Sequence, residues 1–245
     1  SFWLAGRMIL SGENPYDSDL WIQGHHRFGA SWISDITFLY PLPIAGLFAP
    51  LGSLPLYQAF QIWVTLSEAM IFLSILVLSK LQPVPGIKHL YFPILSGVIL
   101  FRPTIITLHN GQFTGFLLIV LTLVAYFWNK GKWWQGGLLL PIIALKPQLG
   151  IPIILLLSLY LVFQREPKGL YSIGISGLGI LILGWAIDPD WIHCFLQTGN
   201  SKFLQTFGFS PTVWGISNYL CNYQVNCLIF LGSIFSILLG VGVVF

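Results

Sequence analysis

The chain has 245 residues, of which 56% are hydrophobic and only 8% are charged, and its mean hydropathy is +0.81. A soluble domain carries about 25% charged residues, so this composition excludes an ordinary soluble protein. The net charge of +3 comes from basic residues scattered over short loops, which predicts no nucleic-acid partner. Long apolar runs whose backbone groups bond within their own helix are what a bilayer requires. The sequence therefore predicts an all-α polytopic membrane protein.

The first region, residues 1–56, is predicted to be a loop at the outer face of the membrane. Residues 1–35 mix charged and aromatic side chains, which makes them too polar to cross a bilayer and too apolar for a flexible tail. Prolines then recur through the stretch 40–55 and break it into short pieces. This stretch is therefore predicted to be interfacial or re-entrant rather than a plain crossing.

Apolar segments long enough to cross a membrane follow, and about seven crossings are predicted. They form a transmembrane bundle of about six helices over 57–187, an outer-face loop over 188–226 and a further transmembrane helix at 227–245. The chain has no initial Met or signal segment and stops inside an apolar run, so it is interpreted as a fragment. The predicted crossings are 57–79, 90–107, 113–128, 135–146, 148–163, 169–187 and 227–245.

The basic residues of the short loops predict the orientation. They occur at every second connection, which the positive-inside rule assigns to the cytoplasm. Alternation then places residues 1–56, the turns His109–Gln112 and Lys146–Gln148, and the loop 188–226 together on the outer side. We therefore expect a multi-pass protein, in a bacterial plasma membrane, whose active site faces outward. The basic residues in question are Lys80, Lys88, Lys130, Lys132, Arg165 and Lys168.

Two cations, Arg102 and Lys146, lie within or at the ends of apolar segments. A charge near the centre of a membrane helix costs about 2.5–3.5 kcal/mol on insertion scales. Either side chain alone could reach the headgroups by snorkelling. Together they predict an anionic ligand that enters from the outer leaflet, such as a lipid phosphate. Arg102 would offer a planar fork to it and Lys146 a point charge.

The turn at Leu108–Gln112 gathers polar side chains between two apolar segments. The imidazole of His109 and the amides of Asn110 and Gln112 suit sugar hydroxyls, and Gly111 permits a tight reversal. The alternative is a turn that ends a helix and satisfies its own backbone.

Neither the histidines nor the cysteines predict a metal site. His25 and His26 are adjacent, so their side chains point apart, and no third ligand is evident. The cysteines at 194, 221 and 227 are an odd number without metal-ligand spacing, and they are interpreted as small apolar residues, with a disulfide as the alternative. No cofactor is predicted, and a divalent-metal requirement stays open.

The order of several short motifs resembles glycosyltransferase family 87. The ordered set is more specific than any single motif, and it extends over nearly the whole chain. The motifs are Phe2-Trp3-Leu4-Ala5-Gly6-Arg7, Ser11-Gly12-Glu13-Asn14-Pro15-Tyr16-Asp17, Leu39-Tyr40-Pro41-Leu42-Pro43, Phe48-Ala49-Pro50-Leu51, Trp63, Gly111-Gln112, Ala144-Leu145-Lys146-Pro147 and Ser210-Pro211-Thr212-Val213-Trp214-Gly215.

The resemblance implies a GT-C type transmembrane helix bundle with a large outer first loop. It implies a hexosyltransferase, often a mannosyltransferase, that uses a polyprenyl-phosphate sugar and a lipid or glycan acceptor. The family's catalytic Asp precedes the Phe2–Gly6 motif, so it would lie upstream of Ser1, and this chain alone is expected to be inactive. Asp17 is a weaker candidate for that base.

The expected reaction is one inverting displacement at the anomeric carbon. Arg102 and Lys146 would stabilise the departing lipid phosphate. The alternatives are a transporter or flippase of a lipid carrier or glycolipid, which would be expected to show internal repetition that this sequence lacks, and a structural subunit. The residues expected near the sugar or acceptor are Gln112, Asn110, His109, Tyr40, Asn14 and Tyr16.

Overall fold

The structure is a computed structural model that describes residues 1–29, 38–81, 87–207, 213–222 and 224–244. These residues form helices and no strand, so the predicted all-α fold is confirmed. The helices are α1 (Phe2–Leu10), α2 (Ser18–Arg27), α3 (Pro43–Gly52), α4 (Leu56–Leu81), α5 (Ile87–Leu100), α6 (Arg102–His109), α7 (Thr114–Asn129), α8 (Trp133–Leu139), a 3₁₀ helix (Leu140–Leu145), α9 (Pro147–Phe163), α10 (Pro167–Ile187), α11 (Trp191–Phe207), α12 (Val213–Leu220) and α13 (Val225–Val244).

Two helices of the described chain, α4 and α10, are long and apolar enough to cross a membrane. A third candidate is the pair of α5 and α6, whose axes bend by 62° at a break. Phe101 at the break is extended, and Pro103 lies in the first turn of α6, where its missing N–H cannot continue the helix of α5. The segment 90–107, predicted as one crossing, is therefore two helices that meet at a bend.

Several other apolar helices of the described chain are too short to span a hydrocarbon core. The 16 residues of α7 reach about 24 Å, against the roughly 30 Å of a hydrocarbon core. The 10 residues of α3 reach only about 15 Å. The count of seven crossings and the interfacial position of 40–55 stay predictions. The segment predicted at 135–146 is divided between α8 and the 3₁₀ helix.

Residues 1–56 contain an ordered helical layer in which α1 packs closely on α3. Glycines allow the approach, because a Cβ on Gly6 would lie 2.5 Å from the Phe48 carbonyl oxygen and one on Gly52 would meet the backbone of Arg7. Arg7 Nη1 also donates to the Gly52 carbonyl at 3.2 Å. The two helices therefore approach one another closely enough for direct backbone contact at these glycines.

At the opposite end of the bundle, aromatic rings surround the turn between α7 and α8. Trp128 Nε1 donates to the Trp133 carbonyl at 3.2 Å, and the two rings are centred 5.9 Å apart. Tyr160 of α9 stacks on Trp128 at 6.2 Å. Lys130 and Lys132, which are predicted to face the cytoplasm, lie in this turn and are exposed.

The chain divides into two compact units, residues 1–191 and 192–245. In the second unit a disulfide joins Cys221 to Cys227, with a Cα–Cα distance of 5.5 Å, and Cys194 is free. The interpretation of all three cysteines as unpaired apolar residues is therefore wrong. The reversal between α12 and α13, with Asn222 at φ +48°, brings the two residues to bonding distance.

Candidate functional site

Lys146 lies between the end of the 3₁₀ helix and the first turn of α9. Its Nζ contacts Thr114 Oγ1 at 3.5 Å, the outer limit of a hydrogen bond, and lies 5.9 Å from the centre of the Phe113 ring. No carboxylate forms an ion pair with Lys146 in the described part of the chain, where the ion pair present joins Arg27 to Glu13. The charge of this partly buried lysine is therefore not neutralised.

The start of α7 adds to the positive potential beside Lys146. Phe113 occupies the N-cap position and provides no side-chain hydrogen bond to the free N–H groups of the first turn. Those N–H groups and the helix dipole favour an anion. Thr114, which Lys146 contacts, is the first residue of α7. The lysine and the helix end therefore favour the same sign of ligand at one place.

An aromatic cluster of Phe2, Tyr40, Phe48 and Phe113 lies next to this cation. Phe113 is fully buried, and its ring centre lies 5.1 Å from Phe2 and 5.8 Å from Tyr40. Phe2 in turn lies 4.8 Å from Tyr40 and 5.0 Å from Phe48. The cluster fixes the first region of the chain against the start of α7. The sequence analysis assigned no role to Phe113, although it directly follows the Gly111-Gln112 motif.

Hydrogen bonds link three predicted site residues of the first region to one another. Tyr16 donates its hydroxyl to the Tyr40 carbonyl at 2.6 Å, and the Tyr16 N–H donates to Asn14 Oδ1 at 2.9 Å. Asn14 Nδ2 donates to Asp188 Oδ2 at 3.3 Å. Burial raises the pKa of the Tyr40 phenol, so this group stays protonated and can donate. The sequence analysis assigned no role to Asp188, the first residue of the loop 188–226.

The turn after α6 has the tight geometry that Gly111 was expected to permit, with φ at +61°. Trp63 Nε1 donates to the Gly111 carbonyl at 3.1 Å, and the Gln112 N–H donates to the Thr107 carbonyl at 2.9 Å. The turn therefore satisfies its own backbone, as the structural alternative held. Gln112 is also half-buried, and Phe113 of the cluster follows it in the sequence.

His109 and Asn110 are exposed, with His109 Nδ1 3.4 Å from Asn110 Oδ1. Arg102 begins α6 and lies about 10 Å along the helix axis from His109. It is exposed, and it forms no hydrogen bond or ion pair with the residues that the structure describes. The joint action of Arg102 and Lys146 stays a prediction.

Asp17 has a structural role in the fold. Its Oδ1 accepts hydrogen bonds from the N–H groups of Asp19 and Leu20 at 2.9 and 3.0 Å, which caps α2. This cap accounts for the residue without any catalytic task. Among the residues that the structure describes, no group of three or more His, Cys, Asp or Glu residues is arranged to hold a metal ion.

Comparison with known proteins identifies the family. Searches of the curated proteins and of the solved structures each gave no significant match. The model of glycosyltransferase family 87 matches residues 38–245, which is most of the chain. The matched range includes Tyr40, Gln112, Phe113 and Lys146, while the Phe2–Arg7 and Ser11–Asp17 motifs lie outside it. The chain belongs to glycosyltransferase family 87, and its chemistry is therefore the transfer of a sugar from a donor to an acceptor.

Proposed function

We propose that the protein moves a hexose, in the first instance mannose, from a polyprenyl-phosphate sugar to a lipid or glycan acceptor on the outer face of a bacterial plasma membrane. The observation that carries the proposal is Lys146, a cation without a carboxylate partner in the described chain, beside the uncapped start of α7. The phosphate of a membrane-embedded lipid has the charge and the location that this pair requires.

The step is a single displacement. A carboxylate takes the proton of the acceptor hydroxyl, and its oxygen attacks the anomeric carbon from the face opposite the phosphate. The bond between that carbon and the phosphate oxygen breaks, and its electron pair leaves with the polyprenyl phosphate. Lys146 stabilises the charge that develops on the phosphate, and Arg102 is proposed to assist it. The proposed base is the family's Asp upstream of Ser1.

The remaining predicted residues are proposed to contact the two sugars. Gln112 directly precedes Phe113, over whose ring Lys146 lies. Asn110 and His109 extend the same polar turn. Hydrogen bonds join Tyr40, Tyr16 and Asn14, which are the residues proposed to contact the sugars from the first region of the chain.

Two sets of contacts support the outward orientation. First, segments predicted on the outer side meet: Asn14 bonds to Asp188, and Lys146 contacts Thr114, which follows the 109–112 turn. Second, the Cys221–Cys227 disulfide lies in the predicted outer loop and the start of the next helix. Disulfides persist in oxidising compartments and are rare in the cytosol, so this bond favours an external position for the loop.

The test is sugar transfer by the natural full-length protein in liposomes. Radiolabelled mannose is supplied either on polyprenyl phosphate or as the nucleotide sugar, and the products are extracted with the lipids. We expect labelled product from the polyprenyl-linked donor alone, and matched glucose donors report the sugar preference. Product from the nucleotide sugar would overturn the donor assignment. Movement of the carrier lipid between leaflets without any product would instead indicate a flippase.

A further inference from the structure

A cavity of about 200 Å³ lies in the first unit, between the segment after α1 and the C-terminal end of α10. Its polar lining comes from Glu13, Asn14 and Asp188, and its apolar lining includes Pro15, Leu42 and Ile187. Pockets for drug-sized ligands occupy about 300–1,000 Å³. The size therefore suits one sugar ring or a similarly small ligand.

The carboxylates of the cavity have hydrogen-bonding capacity to spare. Asp188 accepts from the Asp190 N–H at 2.9 Å and from Asn14 Nδ2 at 3.3 Å, which leaves acceptor positions on both of its oxygens. Arg27 approaches Glu13 only to 4.0 Å, and both side chains are partly in solvent. The cavity therefore combines free acceptors, an amide and apolar walls, which is the lining that hydroxyl groups on a compact ring require.

Asp188 lies between α10 and α11, and the start of α11 at Trp191 favours a carboxylate. Asp188 also follows the last turn of α10, where the helix dipole favours cations over carboxylates. Its one local task is to accept the Asp190 N–H, which an asparagine performs equally well. No cation pairs with Asp188 among the residues that the structure describes, so its carboxylate can still accept hydrogen bonds from a ligand.

The cavity adjoins the Lys146 site but has the opposite charge. Leu42 in its wall is two residues from Tyr40, and Asn14 is linked to Tyr40 through Tyr16. Tyr40 packs on Phe113, over which Lys146 lies. The cationic end suits the donor phosphate. The acidic cavity disfavours an anion and suits a neutral polyhydroxyl group on the other side of the same aromatic cluster.

We propose that this cavity binds a sugar ring of the acceptor, with Asp188 accepting hydrogen bonds from its hydroxyls and setting acceptor specificity. The proposal rests on the transferase function proposed above. The donor sugar is attached directly to the phosphate, so it stays near Lys146, whereas the acceptor has to approach from a separate pocket. Glu13 and Asn14 hold the same ring from the first region of the chain.

The test is a kinetic comparison of Asp188→Asn with Asp190→Asn in the reconstituted full-length protein. Both variants lose one carboxylate, but Asp190 does not line the cavity. Octyl α-mannoside and octyl α-glucoside serve as acceptors, and the acceptor and donor concentrations are varied in turn. The loss of a charged hydrogen bond predicts a 10- to 100-fold rise in acceptor KM for Asp188→Asn. The donor KM and the Asp190→Asn values should stay within about two-fold of wild type.

Binding of the same octyl glycosides, measured by calorimetry without donor, separates this proposal from the proposed function. Weaker binding to Asp188→Asn than to wild type supports the cavity even if no transfer is seen. An unchanged acceptor KM and unchanged binding would overturn the cavity while leaving the transferase intact. A raised donor KM alone would assign the cavity to the donor sugar. Binding that EDTA abolishes in wild type would indicate a cation site and would also overturn the proposal.

Discussion

The two ends of the helical bundle in the first unit are built differently. At the end with Lys146 and Asp188, contacts join residues far apart in sequence, such as Asn14 with Asp188, and charged groups have unused bonding capacity. At the end with Trp128, the hydrogen bond of the α7–α8 turn is local, because the Trp128 indole N–H donates to the Trp133 carbonyl. Unneutralised charge that a fold assembles from distant segments points to ligands. The aromatic contacts around Trp128 stabilise the fold and indicate no ligand.

The largest expected effect is a difference in kcat between lysine substitutions at the two ends of the bundle. Lys146→Ala removes the cation proposed to stabilise the leaving phosphate, and kcat should fall about 10²- to 10³-fold. Lys132→Ala, in the exposed turn of the opposite end, removes the same charge and should leave kcat unchanged. Lys146→Arg should retain part of the activity, because the charge stays while the geometry changes. Equal rates for Lys146→Ala and Lys132→Ala would remove the functional distinction between the ends.

A second prediction concerns the close packing of α1 on α3. Gly6→Ala places a Cβ against the Phe48 backbone, which cannot move aside cheaply, and should destabilise the protein by about 1–3 kcal/mol. Gly174→Ala in α10 has open space around its Cβ and is the matched control. Thermal unfolding in detergent measures both variants. A melting temperature for Gly6→Ala equal to that of Gly174→Ala would show that α1 and α3 are not held by this contact.

A third prediction extends the comparison to the second unit. Replacing Cys221 and Cys227 together by Ser removes a short cross-link and should cost about 2 kcal/mol. Replacing Cys194 by Ser is the control, because that thiol is free. In intact cells a membrane-impermeant maleimide should label this cysteine pair only after reduction. Labelling of the pair without reductant, in cells kept oxidising, would contradict the disulfide.

The smallest expected effect is a pH dependence of stability in the first region of the chain. Burial lowers the pKa of His25, although the hydrogen bond to the Trp21 carbonyl opposes this. The unfolded chain therefore binds more protons just below pH 6.5, so stability is full above that pH and is lost as the pH falls through this window. Because the ring is partly solvated, the melting temperature should drop by only about 1–2 °C more in wild type than in His25→Gln between pH 7.5 and 5.5. An identical pH profile in the two proteins would contradict the burial of this ring.

The fold class could be predicted from the sequence because composition limits what a chain can do in a bilayer. The arrangement of the helices departs from the seven uninterrupted crossings that the sequence predicted. Phe101 and Pro103 break the segment 90–107, since a proline lacks the N–H that a continuous helix needs. The cysteines could not be paired from sequence spacing alone, because their pairing depends on the reversal between α12 and α13.

The candidate site was predicted only in part. Lys146 was recognisable because a charge in an apolar segment is costly, and Asn14, Tyr16 and Tyr40 because they lie in motifs resembling the family. Asp17 was a reasonable carboxylate candidate, but its cap on α2 is a geometric property that spacing does not reveal.

The sequence by itself determined that this protein is a helical membrane protein of a glycosyltransferase family, because hydrophobic composition and motif order are properties of the linear chain. Only the tertiary structure decided which polar residues meet. Asn14 and Asp188 form a hydrogen bond although they are 174 residues apart in the sequence. Lys146, before α9, contacts Phe113 and Thr114 at the start of α7. Such contacts depend on how helices pack around glycines and prolines, and helix packing is set by the whole set of neighbours rather than by any local pattern.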